Sequence, residues 1–531
     1  MVLEESVIEG RKVFVNTLKY IRKGASSNFL AGFVESLMTQ TLIIHIIPTK
    51  KIPFVEGRPK HWMCGRGFCC RVLPVGAMSE KYQLAVLGSG SGGSEAALLA
   101  AKKGYKVIVV ENGALGGTRL HHGSYAVRAL HASARLHGEF FKGKKSGIEE
   151  DLFTESLTQW MKAQRVASTR LARKLQDDLE TLNVRVAFGQ GTLVDDHRIR
   201  VVTEYEKHEE IEADYIILAT GARPDYLGAE NSRIVNSDQL LDKIHPPAHL
   251  FVVGGGYVGC EFAAIYRGFG SQVTLAEQGD HLFPDWDESV GEHIGRQLAA
   301  VGVELWLGRS IAVKDLPIEK GWPIITKDDG TEISPDRLLV ATGRKPNIES
   351  LGLSELGVET TPFIVVDAQL RTSCRNIFAI GDVNGLNMLD SSAASQARVA
   401  IDAMTGGDTL FSSRWVPRYL DTDPPVAAVG WMEREAALAG LDLAVMSDVA
   451  EMVTADDKTI AQPSKTLVKI IAERSTRQIR GCLAIGNQAS EVINLAALAI
   501  QSGISTREIE RLLLVHPSAS VAFQRCAAKF N

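Results

Sequence analysis

The chain has 531 residues, which is enough for three or four domains of ordinary size. Its composition, with 45% hydrophobic and 23% charged residues, is typical of a globular protein that buries large cores. Lys and Arg number 58 against 63 Asp and Glu, for a net charge of −5, so charge gives no indication of a nucleic-acid or membrane-surface partner.

Residues 1–77 differ from the rest of the chain, because they combine basic stretches, a short apolar run and a cysteine cluster without a helix or strand period. The apolar run, 28–48, is interrupted by polar residues, so no membrane span is predicted. One hypothesis is that Met78 is the natural start; the alternative is a genuine accessory segment. The seven cysteines are scattered, so we expect no disulfide framework, a reducing compartment and a cytoplasmic location.

From residue 81 onward, apolar runs alternate with helical patterns, which predicts α/β layers with parallel sheets. One strand–helix–strand order occurs twice, which indicates a duplicated nucleotide-binding unit. The predicted elements are strand 83–87, helix 93–103, strand 106–111, helices within 129–182, strand 249–253, helix 259–269, strand 272–277, and late helices near 489–502 and 505–514.

The first repeat contains a glycine pattern between its strand and its helix. Gly88 permits a tight turn, Gly90 lets the backbone approach a pyrophosphate, and Gly93 lets helix and strand pack closely. The helix N-terminus then offers unpaired N–H groups to the phosphates. Glu111, at the end of the next strand, can accept hydrogen bonds from ribose hydroxyls. The pattern predicts a dinucleotide site, with a glycine-rich structural turn as the alternative.

The second repeat carries the same pattern in Gly254, Gly256 and Gly259, with Glu277 at the end of its second strand. A carboxylate at this position repels a ribose 2′-phosphate, and residues 278–280 contain no arginine to neutralise one. We therefore expect NADH to be favoured over NADPH. Two dinucleotide sites in one chain are explained most economically by hydride transfer between the two bound cofactors.

Several further motifs follow in a fixed order. They are Ala219-Thr220-Gly221, Ala341-Thr-Gly343-Arg-Lys-Pro-Asn347, Ala379-Ile-Gly381-Asp382, Asp423-Pro424, Val429-Gly430 and His516-Pro517. Together with the glycine patterns they make residues 81–520 resemble the flavoprotein disulfide reductases, such as dihydrolipoyl dehydrogenase, glutathione reductase and mercuric reductase. The resemblance implies bound FAD, with Asp382 at its ribityl chain, and a nicotinamide dinucleotide.

The resemblance also implies a domain plan of two Rossmann-like domains and a mixed α/β dimerisation domain. The FAD domain is expected over 78–228 and 346–412, the NAD(P) domain over 229–345 and the interface domain over 413–531. In the family, the histidine that matches His516 reaches the flavin of the neighbouring subunit, so we expect a two-fold homodimer.

Roles for individual residues follow from the same resemblance. Gly117 and Thr118 match the segment that leads into the family's redox centre, and Tyr257 resembles the gate residue on the nicotinamide side of the flavin. Glu261 resembles the acid near flavin N5 that pairs with a basic residue, here Arg128 in place of the usual lysine. The alternative for Glu261 is an exposed helix residue.

The chain departs from the family where the two redox cysteines should stand. Arg119 and Ser124 occupy those positions, and neither can take electrons by thiolate attack and exchange. The glutamate that orients the family histidine is replaced by Val521, which removes the orienting carboxylate of His516. Reduction of a disulfide by the usual route is therefore not expected.

Two hypotheses concern what replaces the thiols. Arg119, with His121 and His122 beside it, would favour an anionic substrate or an anionic reduced flavin by its charge; the alternative is a surface ion cluster. Cys64 and Cys69 have the spacing of the family's redox pair, but they precede the first strand, so no local geometry places them at the flavin.

The leading functional interpretation is an enzyme in which NADH reduces FAD and the flavin passes electrons directly to an acceptor, such as a quinone, a dye, a second nicotinamide, oxygen or a small anion. The first alternative is a non-catalytic scaffold that binds FAD and NADH. The second is a disulfide or metal reductase that uses other thiols. No metal site is predicted.

Overall fold

The computed structural model describes residues 81–142, 150–203, 205–226, 231–242, 245–452 and 464–530. Residues 1–77, with the cysteine pair Cys64 and Cys69 and the hypothesis of a start at Met78, lie outside the described residues. Residues 78–531 group into one structural unit, whose sheets carry the predicted repeats.

The strands of the described residues run, in chain order, as follows. They are β1 (Lys81–Leu87), β2 (Val107–Glu111), β3 (Arg185–Phe188), β4 (Gln190–Leu193), β5 (Arg198–Val202), β6 (His208–Leu218), β7 (Ala222–Pro224), β8 (Ile234–Val235), β9 (His249–Val253), β10 (Gln272–Ala276), β11 (Val303–Trp306), β12 (Ile318–Glu319), β13 (Trp322–Pro323), β14 (Ile325–Thr326), β15 (Glu332–Ile333), β16 (Arg337–Val340), β17 (Arg344–Pro346), β18 (Ile377–Ala379), β19 (Arg418–Leu420), β20 (Val426–Gly430), β21 (Leu443–Met452), β22 (Ser464–Glu473) and β23 (Ile479–Ile485).

The α-helices of the same residues are numbered in the same way. They are α1 (Ser91–Lys102), α2 (Gly117–His121), α3 (Ser124–Lys142), α4 (Glu150–Thr181), α5 (Ser237–Leu241), α6 (Tyr257–Gly268), α7 (Glu288–Ala300), α8 (Asp390–Met404), α9 (Glu433–Leu438), α10 (Ala489–Gln501), α11 (Thr506–Glu510) and α12 (Ser520–Ala528).

The first sheet has the strand order β3-β2-β1-β6-β5-β4, and β18 also pairs with β6. Strands β1, β2, β3, β6 and β18 pair in parallel, whereas β4 and β5 join as antiparallel strands. Apolar clusters cover both faces of this sheet, as expected for buried parallel strands with continuous Val, Ile and Leu runs. Because β18 comes from late in the chain, this domain is built from two separate segments.

The second sheet, β11-β10-β9-β16-β8, is wholly parallel. Its β9–α6–β10 unit repeats the β1–α1–β2 unit of the first sheet. In both units the glycine turn follows the first strand and the acidic residue follows or ends the second. Both turns therefore lie at the carboxyl ends of parallel strands, where open α/β sheets bind ligands.

The third sheet, β19-β20-β23-β22-β21, is antiparallel, and helices α10 and α12 pack on it. Asp287, buried in the loop before α7, connects this domain to the second sheet. Its carboxylate accepts hydrogen bonds from the backbone N–H groups of Glu433 and Arg434 at 3.3 and 3.1 Å, and Lys469 lies 3.6 Å away. An acid at the start of α9 satisfies N–H groups that have no partner within the helix.

The predicted β–α–β units agree with the structure within two residues at each end. The C-terminal region differs more. The helix predicted near 505–514 ends at Glu510, and a further helix, α12, was not predicted. Residues 511–518 form a mostly exposed connection instead, which contains His516 and two strongly exposed apolar side chains, Leu513 and Val515.

Within the described ranges, no helix combines the length and the apolar character needed to cross a bilayer. Over the same residues, no three His, Cys, Asp or Glu side chains come together in a way that could hold a metal ion. Cys260, Cys482 and Cys526 are buried, whereas Cys374 is only half-buried, and all four are free thiols.

Candidate functional site

A cavity of about 1710 Å³ connects the two glycine turns. Single small-molecule sites usually measure about 300–1,000 Å³, so this volume has room for more than one small ligand. Its walls come from the first sheet, the second sheet and the start of the third. Of the six glycines in the two patterns, Gly88, Gly90, Gly254 and Gly256 line the cavity. Gly93 and Gly259 do not line it and lie between helix and strand.

The first turn is fixed by the carboxylate of Glu111, which is buried. Its Oε2 accepts hydrogen bonds from the backbone N–H of Ser89 at 2.8 Å and from the Ser89 hydroxyl at 2.5 Å, and its Oε1 accepts one from Gly113 N–H at 2.8 Å. The Ser89 hydroxyl oxygen also accepts from Gly116 N–H. Glu111 therefore ties the glycine turn to the loop after β2, and its position at the cavity leaves it available to ribose hydroxyls.

The second turn repeats this arrangement with the carboxylate of Glu277. Its Oε2 accepts from Gly255 N–H at 2.6 Å and its Oε1 accepts from Gly279 N–H at 2.8 Å. The same two oxygen atoms thus make the same two kinds of contact as in the first unit. The duplication inferred from the sequence extends to individual hydrogen bonds.

The glycines of the two turns fall into two classes. A Cβ on Gly93 would lie 1.9 Å from the carbonyl oxygen of Gly88, and one on Gly259 would lie 1.8 Å from that of Gly254. These glycines are required by close packing of helix and strand. A Cβ on Gly90 or on Gly256 meets nothing within 4 Å, and both residues face the cavity. No packing explains these two glycines, but a ligand that touches the backbone does.

The motifs at residues 219–221 and 341–347 contact each other at the cavity. Thr220 Oγ1 donates to the carbonyl oxygen of Asn347 at 2.7 Å, and the Asn347 side chain donates to the carbonyl oxygen of Thr220 at 2.9 Å. Gly221, which accepts a hydrogen bond from Asn347 N–H, and Gly343 both line the cavity at this point.

Gly381 is held by a buried glutamine on α8, because its N–H donates to Gln396 Oε1 at 2.7 Å. The neighbouring Asp382 lines the cavity. Burial raises the pKa of Asp382, and the positive charge of Arg344 opposes this. An acid and a guanidinium thus face the same space from two different motifs.

Residues Gly117 to Ser124 form another wall of the cavity. Gly117, Thr118, Arg119 and Ser124 all line it. Arg119 Nε lies 3.7 Å from the Asp390 carboxylate. The same carboxylate accepts a hydrogen bond from the Ser91 hydroxyl. His121 has a structural contact instead, because its Nε2 lies 3.0 Å from the carbonyl oxygen of Leu115.

Tyr257 stands at the second turn inside an aromatic cluster. Its ring makes edge-to-face contacts with Phe283 at 5.1 Å and Trp286 at 5.9 Å between ring centroids. The phenol oxygen is buried and has no hydrogen-bond partner within the described ranges, and burial raises the pKa of Tyr257. The role of Tyr257 as a gate stays a prediction.

Glu261 follows one turn later on α6 and also lines the cavity. Burial raises the pKa of Glu261 to about 7. The predicted partner, Arg128, lines the same cavity, but its guanidinium lies over the Tyr419 ring, 5.1 Å from the centroid. Among the described residues Glu261 has no ion-pair partner, so the structure differs here from the predicted pairing.

His516 does not reach the cavity of its own chain. It lies exposed between α11 and α12, and it is absent from the residues that line the cavity. Val521, in the first turn of α12, offers no carboxylate to orient it.

The sequence interpretation missed several polar residues of the cavity. They are His131, Arg309, Arg344, Asn387, Asp390, Tyr419 and Asp421. Arg344 belongs to a motif that had been recognised, so that motif already contained the signal. The other six residues lie outside the motifs recognised in the sequence, and no local pattern indicates that they line the cavity.

Four buried polar atoms at the cavity have no hydrogen-bond partner in the described part of the chain. They are Arg119 Nε, Tyr257 Oη, Arg344 Nε and Asn387 Oδ1. Buried polar groups are nearly always satisfied in folded proteins, so this concentration indicates a polar ligand. With the glycine turns and the two fixed carboxylates, the residues present fit FAD at the first turn and a nicotinamide dinucleotide at the second.

Two dinucleotide-binding units that open into one cavity define a nucleotide-dependent oxidoreductase. Residues 82–403 match the family described as pyridine nucleotide-disulphide oxidoreductase, and residues 416–527 match the dimerisation domain of the same family. The chain belongs to this family, for which FAD and a pyridine nucleotide are the expected cofactors.

Named relatives are consistent with that assignment. The chain is 29% identical to dihydrolipoyl dehydrogenase 3 of Haloarcula marismortui over 470 residues, which is 86% of this chain and 98% of that protein. It is 30% identical to the soluble pyridine nucleotide transhydrogenase of Photorhabdus laumondii over 437 residues, 81% of this chain and 93% of that protein. The crystal structure of LpdA from Mycobacterium tuberculosis superposes with a TM-score of 0.75 at 28% identity, covering 85% of this chain and all of that one.

The two classes of glycine predict different mutant behaviour. Gly90→Ala should leave the free energy of unfolding of the flavin-free protein within about 0.5 kcal/mol of wild type. It should nevertheless weaken FAD binding about tenfold or more, a loss of about 1.4 kcal/mol. Gly93→Ala should also destabilise the flavin-free protein by about 1–3 kcal/mol, because the new methyl group overlaps a backbone oxygen. Urea unfolding and the ratio of FAD to protein test this; equal destabilisation by both changes would contradict it.

Proposed function

We propose that the protein is an FAD-dependent oxidoreductase that takes electrons from NADH and delivers them to an acceptor without a disulfide relay. When bound, FAD would accept a hydride from the nicotinamide and pass two electrons on. The observation that carries the proposal is the wall from Gly117 to Ser124. This segment lines the cavity, and the resemblance places Arg119 and Ser124 at the positions of the family's redox cysteines.

The described thiols offer no substitute for that pair. None of Cys260, Cys374, Cys482 and Cys526 lines the cavity. Burial raises the pKa of Cys260 well above its ordinary value and that of Cys526 to about 11, so neither is a ready thiolate. This favours direct transfer over a disulfide or metal reductase that uses other thiols.

The choice of NADH rests on Glu277. Its carboxylate is buried and held by two backbone N–H groups, so it cannot turn away from a ribose 2′-phosphate without leaving them unpaired. The aromatic cluster around Tyr257 would have to open to admit the nicotinamide ring. The Glu277 carboxylate and the Tyr257 ring are therefore the parts of the chain that we assign to this substrate.

A scaffold that binds both cofactors without turnover is the second candidate. The sequence around His516 favours it, because Val521 stands where the resemblance places the glutamate that orients the family histidine, so the acid–base pair would be incomplete. The two candidates differ in whether electrons leave NADH at all, so one measurement separates them.

The decisive experiment is anaerobic stopped-flow absorbance on FAD-loaded protein. NADH should bleach the flavin band, with a kcat/KM at least about tenfold above that for NADPH, given the repulsion at Glu277. An added quinone, ferricyanide or oxygen should then restore the band. Ser124→Ala should leave both phases within about twofold, because the Ser124 side chain is exposed in the cavity wall and the loss of one exposed hydroxyl changes free energies by about 0.5 kcal/mol or less. No bleaching by either nicotinamide would support the scaffold instead.

Arg119→Ala tests whether that cation serves the acceptor. A charge-assisted contact contributes about 1.5–3 kcal/mol, so the KM for anionic ferricyanide should rise about tenfold or more. A neutral benzoquinone serves as the internal control and should show little change. Unchanged steady-state kinetics with both acceptors would show that Arg119 does not serve the acceptor and only contacts Asp390.

We also propose a two-fold homodimer. The matched dimerisation domain and the exposed apolar connection beside His516 support it, because Leu513 is 96% and Val515 80% exposed in the single chain. Apolar side chains that cluster on a surface commonly mark an interface. In such a dimer His516 would face the cavity of the partner subunit.

Leu513→Glu should convert the dimer into monomers, because it places a charge in an apolar contact. Leu438→Glu is a matched control, since Leu438 is 81% exposed on the same domain but lies on α9. Sedimentation velocity at micromolar concentration measures the outcome. If both variants remain dimers, Leu513 does not lie in the dimer interface.

A further inference from the structure

Five polar and aromatic side chains from three distant segments meet at one end of the cavity, and they are called the Glu261 cluster below. Glu261 lies on α6, Arg128 and His131 lie on α3, and Tyr419 and Asp421 lie at the end of β19 in the third-sheet domain. All five line the cavity. Sequence proximity explains none of the contacts between these segments, so the fold itself assembles the cluster.

The contacts in the cluster centre on Asp421. Its backbone N–H donates to Glu261 Oε1 at 3.3 Å, and its carboxylate accepts from the Tyr419 hydroxyl at 3.2 Å. The other carboxylate oxygen lies 3.4 Å from His131 Nδ1. Arg128 lies over the Tyr419 ring, whereas His131 contacts the Asp421 carboxylate, a contact that becomes an ion pair when His131 is protonated. Glu261 receives one hydrogen bond and no ion pair among the described residues.

The proton balance of the proposed reaction gives such a carboxyl group a task. NADH, one proton and a two-electron acceptor yield NAD⁺ and the acceptor with two added hydrogens. The hydride carries both electrons and one proton, so the second proton must come from the protein or from water. A carboxylate locked in an ion pair stays ionised, whereas one without such a partner can hold a proton and release it.

We propose that Asp421 and His131 are positioning residues that keep Glu261 able to take up and release this proton at the cavity. The inference rests on the proposed function, since it concerns the same reaction. Asp421 acts through its negative charge, which favours protonated Glu261, and through its backbone N–H, which orients the carboxyl group. His131, when protonated, opposes the negative charge of Asp421 and so weakens the effect of that charge on Glu261.

The surroundings of Glu261 contain further titratable or charged groups. These are Arg128 and His131 from α3, Tyr419 and Asp421 from the third-sheet domain, and Tyr257 and Cys260 from its own helix. Burial is the largest influence and raises the pKa of Glu261 to about 7. The Asp421 N–H lowers that pKa and the Asp421 charge raises it, whereas the charges of His131 and Arg128 lower it.

Two substitutions should therefore move the protonation of Glu261 in opposite directions. Asp421→Asn keeps the backbone N–H and removes the raising charge, so the pKa of Glu261 should fall. His131→Gln removes a lowering charge, so the pKa should rise. A purely structural role for either residue gives no reason for opposite signs.

The measurement is the midpoint potential of the flavin in the FAD-loaded protein as a function of pH, by spectroelectrochemistry. Wild type should show a change of slope near pH 7, which Glu261→Gln should abolish. Asp421→Asn should move the change to lower pH, His131→Gln to higher pH, and Asp421→Glu, which keeps the charge, should restore the wild-type position. His197→Gln is the matched control. His197 Nε2 lies 3.9 Å from the Asp196 carboxylate, and neither residue lines the cavity.

The outcomes distinguish a failure of this inference from a failure of the proposed function. A change of slope that survives Glu261→Gln, or shifts of equal sign in Asp421→Asn and His131→Gln, would overturn the inference alone, provided that NADH still reduces the flavin. Protein that takes up no FAD would overturn both the inference and the proposed function. If Asp421→Asn does not fold, the His131→Gln shift and its direction still decide.

Discussion

The nucleotide turns depend on one steric constraint, the contact of a helix with the strand that precedes it. At Gly93 and Gly259 the two backbones approach so closely that any side chain would overlap a carbonyl oxygen. These contacts lie in the first turn of each helix, whose starting residues line the cavity. The free N–H groups there would stabilise phosphates by hydrogen bonds and by the helix dipole. Glu111 and Glu277 then hold the two turns by hydrogen bonds to backbone N–H groups.

The third-sheet domain adds chemistry that the nucleotide domains lack. Asp287 receives its hydrogen bonds from the start of α9, so the loop that carries Phe283 and Trp286 is held by this domain. The same domain supplies Tyr419 and Asp421 to the cavity. A domain matched as a dimerisation unit therefore also shapes the surroundings of Tyr257 and Glu261.

The sequence predicted the β–α–β units well, because strand period, glycine turn and helix start are all local signals. The C-terminal region was predicted less well, since the pairing of β19 to β23 and the packing of α12 depend on contacts between distant residues. The helix predicted near 505–514 contains enough helix-forming residues to look continuous. In the structure its last part becomes the exposed connection that holds His516, where tertiary context overrides local propensity.

In the candidate site, too, residues in local patterns were predicted and contacts between distant residues were not. Gly90, Glu111 and Glu277 were placed by pattern and lie where the pattern requires. The pairing of Glu261 with Arg128 was inferred from the resemblance, and the competing contact of Arg128 with Tyr419 cannot be read from either neighbourhood in the sequence. Long-range electrostatic partners need the fold before they can be named.

The cavity wall built without thiols has a chemical consequence. Oxidants, alkylating agents and soft heavy metals inactivate thiol-dependent enzymes because a low-pKa cysteine is exposed where turnover occurs. Here the four described cysteines lie away from the cavity and three of them are buried. The direct electron transfer that we propose uses no exposed sulfur, so we expect it to continue under oxidative or arsenical stress that stops a dithiol enzyme.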